Sequence, residues 1–219
     1  MYNITLICTM HKEIGKCNSK ELYDIIEKEN PEVIFEEFDI SRTEDDYYKN
    51  GHYKYQKSCT LETVTIMKYL ENNKIFHVPV DTYELPIDPP NFYTEISNAC
   101  EEYDNIVRNN FILSCQNGFS YLNSDECSRL FEKILELEKN IVERLGKKNL
   151  IETYKLWRSV TDNRDKEMLK NIYDYSQNSN YTNAVFIIGA EHRKSILNKI
   201  EEFDFKYKIK INWKSWRIA

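Results

Sequence analysis

The chain is short of the residues that break or loosen structure. Only five of its 219 residues are glycine and five proline, and it carries no internal repeat or low-complexity tract. With hydrophobic residues at 41%, this excludes a disordered or fibrous protein and leaves a globular one. Six cysteines, Cys8, Cys17, Cys59, Cys100, Cys115 and Cys127, include no C-x-x-C pair and no zinc-site spacing, so reduced and mostly buried thiols are expected. Positive charge is not in excess. The net charge of −6 argues against a general nucleic-acid or acidic-membrane binder. The opening apolar stretch, Ile4-Thr-Leu-Ile-Cys, is far too short to span a bilayer and has no basic leader or cleavage site. A cytoplasmic protein is the expectation. Ser58, Ser159 and Ser195 lack a G-x-S-x-G context, which argues against a serine hydrolase.

What is present is organised around Ala184 to His192, AVFIIGAEH. A short apolar run bounded by Gly189 is the mark of a strand covered on both faces. Gly189 permits a tight turn, and the segment from Ser195 reads as a helix, so His192 lies where a parallel strand hands over to its helix. Ligands in open α/β sheets collect there, although a turn histidine without a role would read the same way. Upstream, strand and helix alternate. Ile4 to Thr9 is a strand ending near His11. Asn18-Ser19 caps a helix to Glu29 that buries Leu22, Ile25 and Ile26. Val33 to Phe38 is a second strand. Asp45 to Lys57, with four tyrosines, reads as a polar loop. Thr60 caps a helix with Leu61, Val64, Met67 and Leu70 on one face, and Ile75 to Val80 is a third strand ending at Asp81.

Pro86, Pro89 and Pro90 then break the pattern, and helical spacing alone follows to about Tyr175. Gly146 separates two of these helices. The whole reads as one α/β domain over 1–219, with a mostly parallel sheet flanked by helices and a helical insert at about 91–176. In the tail, Phe205, Tyr207, Ile209, Ile211 and Trp213 alternate with lysines and Asn212. That predicts a half-buried C-terminal antiparallel edge strand whose lysines discourage further pairing.

Four parallel strands would finish at His11, Glu36-Glu37, Asp81 and His192, all on one edge of the sheet. Two imidazoles and one or two carboxylates suit a divalent ion such as zinc, manganese or cobalt, which would acidify a water for hydrolysis. Polar strand ends are common without any metal. His77, inside an apolar strand, reads as a satisfied core histidine, and His52 as a surface residue of the tyrosine-rich loop. Glu62 is explained by the dipole of its helix.

These motifs resemble those of the TraB/TIKI superfamily, related to the ChaN-like and erythromycin-esterase-like proteins. Cys8-Thr9-Met10-His11 is similar to a G-[ST]-x-H motif after the first strand, with Cys8 in place of glycine. Pro31-Glu-Val-Ile-Phe-Glu-Glu37-Phe-Asp-Ile-Ser-Arg42 follows the P-D-V-V-x-x-E-L motif with its nearby arginine, and selects Glu37 over Glu36. Arg164-Asp165-Lys-Glu-Met168 matches R-[ND]-x-x-M, and Gly189-Ala190-Glu191-His192 matches G-A-x-H. The resemblance implies a hydrolase acting on a peptide or small ester-like substrate. His11, Glu37 and His192 would be metal ligands or acid/base groups, and Arg164 would hold a carboxylate or a developing oxyanion. A surface ion pair of Arg164 with Asp165 or Glu167 is the plain alternative. Two rivals use the same pocket: a non-catalytic binding or regulatory protein, and a haem or metal carrier with an axial histidine. Neither nucleic acid nor membrane is an expected partner, and a homo-oligomer is left open.

Overall fold

The computed structural model describes residues 2–40, 60–82 and 92–217. The tyrosine-rich loop, His52, Ser58, Cys59, Arg42 and the three prolines at 86, 89 and 90 lie outside these residues. The described residues form five strands and seven α-helices in the order β1 (Tyr2–Thr9), α1 (Ser19–Glu29), β2 (Val33–Asp39), α2 (Leu61–Asn72), β3 (Phe76–Asp81), α3 (Phe92–Ala99), α4 (Glu101–Leu122), α5 (Asp125–Leu145), α6 (Lys148–Asn178), β4 (Asn183–Gly189), α7 (Arg193–Tyr207) and β5 (Ile211–Ser215). A single 3₁₀ turn, Ala190–His192, joins β4 to α7.

All five strands are parallel and lie in the order β3-β2-β4-β1-β5. The apolar run of β4 occupies the centre because both its faces must be covered: Val185 to Ile188 are fully buried, as are Ile4, Leu6 and Ile7 in the neighbouring β1. Chain order leaves β1 in one direction, towards β2 and β3, and leaves β4 in the other, towards β5. The strand order therefore reverses between β1 and β4, where open α/β sheets form their crevice. Thr9 pairs with Gly189 at this point.

The caps are those the sequence indicates. Asn18 accepts from the Glu21 amide and Thr60 from the Thr63 amide, each satisfying an amide that the first turn leaves unpaired. Asn30 ends α1 in a left-handed conformation. The helical stretch between β3 and β4 has a core of its own, with Phe92, Ile96, Tyr103, Ile134, Ile141, Val142 and Leu150 packed together. The distal half of α6 returns to the sheet core through Met168, Leu169, Ile172 and Tyr173, and Asn171 donates to the Val80 carbonyl at 2.8 Å.

Two expectations are corrected. The tail strand is parallel to β1, not antiparallel, because α7 carries the chain back across the sheet before β5 begins, and a strand reached by such a crossover runs parallel. The first three residues of the alternating stretch, Phe205 to Tyr207, belong to that helix. Tyr207 stacks on Phe203 one turn earlier, with centroids 6.1 Å apart, and Phe205 is exposed. The second correction concerns α2, which buries Leu61, Glu62, Thr63, Thr65, Ile66 and Tyr69 and exposes Val64. Glu62 turns inward for a reason given below, and that rotates the face.

The rotated face is testable. Ile66→Ala should cost about 2–5 kcal/mol, whereas Val64→Ala should stay within about 0.5 kcal/mol. Urea midpoints of the two variants measure the contrast, and equal losses would restore the original face.

Candidate functional site

The carboxyl edge of the sheet brings His11, Glu37, Arg164 and His192 together. Glu37, the fifth residue of β2, is the centre. Its Oε2 accepts from the Gly189 amide at 2.7 Å and its Oε1 from Arg164 at 2.8 Å. His11 Nε2 lies 3.6 Å from Oε2, and His192 Nε2 lies 3.4 Å from Oε1. Gly189 serves close approach more than turn geometry: a Cβ there would sit 2.8 Å from His11 Nε2.

Each imidazole is backed by a second carboxylate at its other nitrogen. His192 Nδ1 meets Asp165 Oδ1 at 2.6 Å, and His11 Nδ1 meets Glu62 Oε1 at 3.3 Å. Glu62 Oε1 also accepts the His11 backbone amide at 3.2 Å. That bond supports a backbone with φ 61°, unusual for a residue with a side chain. The two rings differ in access. His11 leaves 42% of its side chain open to the cleft, while His192 is 1% exposed.

Arg164 does not form the surface pair with Asp165 or Glu167. Its fork grips Asp81, with Nε at 3.1 Å from both carboxylate oxygens and a terminal nitrogen at 2.6 Å, and reaches Glu37 with the same terminal nitrogen. Asp165, its neighbour on α6, instead turns to His192 and lies 3.9 Å from Lys199. Lys199 is also bound by Asp162 at 2.9 Å.

These contacts set the protonation states. Burial opposes charge on Glu37, but His192, His11 and Arg164 outweigh it and hold the carboxyl far below the usual range. Burial likewise opposes charge on both imidazoles. The Glu62 carboxylate, with Glu37 behind it, raises His11 to about 9, and Glu37 with Asp165 raises His192 well above its ordinary value. Asp81 moves upwards because burial exceeds the effect of Arg164.

A cavity of about 980 Å³ opens over this edge, bounded by the sheet and by α4, α5, α6 and α7. His11, Glu37, Asp81 and Arg164 line it, and His192 lies behind them. Glu62 and Asp165 are the supporting residues that sequence reading passed over. Glu62 had a sufficient local explanation at a helix start; the Arg164-Asp165 pair was visible, but not the partner of its aspartate. His77 is a core residue, 5% exposed, with Nε2 2.7 Å from Glu36. Comparison with protein-family models, curated proteins and solved structures gives no match.

Two outcomes are expected. His192→Ala leaves the buried Asp165 carboxylate with only Lys199, 3.9 Å away, and loss of the closer partner of such a pair costs about 3–5 kcal/mol. His11→Ala should cost less, because Glu62 keeps the backbone amide as donor. Comparable losses in chemical denaturation would count against this asymmetry. The pH profile follows from the shifts. The imidazole contributions are complete below about 6.5 and disappear as pH rises, for His11 through about 9. The Glu37 contribution is complete above 4.5 and disappears as pH falls. The metal-free protein should therefore melt highest between pH 4.5 and 6.5. A melting temperature that climbs from pH 6.5 to 9 would contradict these assignments.

Proposed function

We propose that the protein is a hydrolase of the TraB/TIKI type, acting on a peptide or small ester-like substrate. The observation that carries this reading is the ionised Glu37, held between two carboxylate-backed imidazoles at the floor of a cavity. Hydrolysis needs a group that takes a proton from water and one that delivers a proton to the leaving atom. His11 is the exposed member and, carrying a proton at neutral pH, is suited to deliver it. Glu37, held ionised by its neighbours, is suited to orient water as a hydrogen-bond acceptor. His192 is sealed from the cleft, so its part is to hold Glu37 in charge and position. Arg164 fixes the Glu37 carboxylate and cannot act as base.

The donor set also fits a divalent ion in its chemistry. Both rings are anchored at Nδ1 by a carboxylate, the usual support for a metal-binding Nε2, and the ion would take the place of two imidazole protons. Zinc, manganese or cobalt would be held by His11, Glu37 and His192 and would supply a more acidic water. Among the described residues, no three ligands are already arranged to hold an ion, so side chains must adjust on binding. Uptake should release protons, about two per ion near neutral pH.

The test combines calorimetric metal titration in two buffers of different ionisation enthalpy with hydrolysis assays on ester and peptide panels. Activity should fall by at least about a hundredfold in Glu37→Gln. Arg164→Lys, which keeps the charge but loses the two-nitrogen grip on Asp81, should lose activity with unchanged protonation of His11. No hydrolysis of any panel member with or without metal, by protein that binds those members, would favour the non-catalytic binding reading.

A further inference from the structure

The cavity extends beyond the Glu37 cluster into the helical layer, and there it meets a second buried carboxylate. Glu138 on α5 is 8% exposed. Tyr103 on α4, itself buried, donates its hydroxyl to Glu138 Oε1 at 2.9 Å. Among the described residues, no other donor and no ion pair reaches this carboxylate. Tyr154 and Trp157 of α6 line the same part of the cavity, and the Trp157 indole nitrogen is buried with no acceptor.

We infer that Glu138, Tyr103, Tyr154 and Trp157 form a subsite for a primary ammonium group of the substrate. The inference rests on the hydrolase reading only in calling the ligand a substrate. A carboxylate bordered by aromatic rings attracts a cation by charge and through the ring faces. A structural tie between α4 and α5 would need only a neutral acceptor for the Tyr103 hydroxyl. An ionisable group in its place costs burial energy unless a cation offsets it. The unpartnered indole N–H would donate to a carbonyl oxygen of the same ligand, a pairing found where a peptide carries its amino end or a lysine side chain.

Nearby charges agree with this in balance. Burial raises the Glu138 carboxyl, the field of Glu191 adds to that effect, and Arg158 opposes it without forming an ion pair. Glu132, also on the cavity wall, is neutralised by Lys194 at 3.2 Å. Glu191 lines the same cavity, with its carboxylate 3.4 Å from His192 Nε2.

The probes are three tetrapeptide amides: tetra-alanine with a free amino terminus, its N-acetyl form, and an N-acetyl form with one lysine. Binding is followed in the full-length protein by NMR at the Trp157 indole N–H, so turnover is not required and an inactive protein leaves the result readable. At least one charged peptide should bind at least about tenfold more tightly than the neutral one and shift the Trp157 signal. Which of them does so separates the amino terminus from the lysine side chain. Glu138→Gln should abolish the preference, and Glu37→Gln should retain it. Equal affinities for all three peptides would overturn the inference. So would a charge preference with an unmoved Trp157 signal, or one lost only in Glu37→Gln. If Glu138→Gln does not fold, the wild-type comparison alone decides.

Discussion

An ionised carboxylate almost without access to water has to be surrounded by donors, and Glu37 sets this condition for the rest of the protein. Leaving such a group uncompensated would cost more than a small domain has in reserve. The compensation comes from far apart in the chain: the end of β1, the end of β4 and the middle of α6. Bringing those three to one residue of β2 requires parallel strands and a helical layer that reaches back over the sheet. The strand-order reversal between β1 and β4 puts two of these donors beside the crevice, and the third descends from the insert.

Around Glu37 the charges alternate in sign. Glu62, His11, Glu37, His192, Asp165, Lys199 and Asp162 form one series of neighbouring opposite charges. Each inner member is stabilised by the two beside it, so the loss of one proton is felt along the row. The protonation of exposed His11 is thereby tied to groups that solvent does not touch. This is a physical route by which events in the cleft reach the interior of α6 and α7.

The parts legible in the sequence are those with a one-dimensional signal. Buried parallel strands show as uninterrupted apolar runs, so β1, β2 and β4 and their polar ends could be read directly. Helix caps such as Asn18 and Thr60 are local and were equally readable. The tail misled because alternation over Phe205 to Trp213 spans the end of a helix, a left-handed Lys208 and the start of a strand. The face of α2 was hidden by Glu62, whose burial depends on a histidine fifty-one residues earlier. Asp165 and Glu138 had no local signal, since their partners come from other elements. Hydrophobic period records what faces the core, not which buried charges will meet.

The length of α6 gives the site a scale. Trp157, Thr161 and Arg164 all line the cavity, and their spacing of four and three residues places them along one stripe of a continuous helix. Seven residues of helix rise about 10 Å, the span of about three residues of extended peptide. The aromatic end of the cavity and the arginine that holds Glu37 are thus marks on one stiff rod, at a separation that side-chain rotation changes little. A chain molecule lying along that rod would meet both marks at a fixed interval, so the cavity would measure its length as well as hold it.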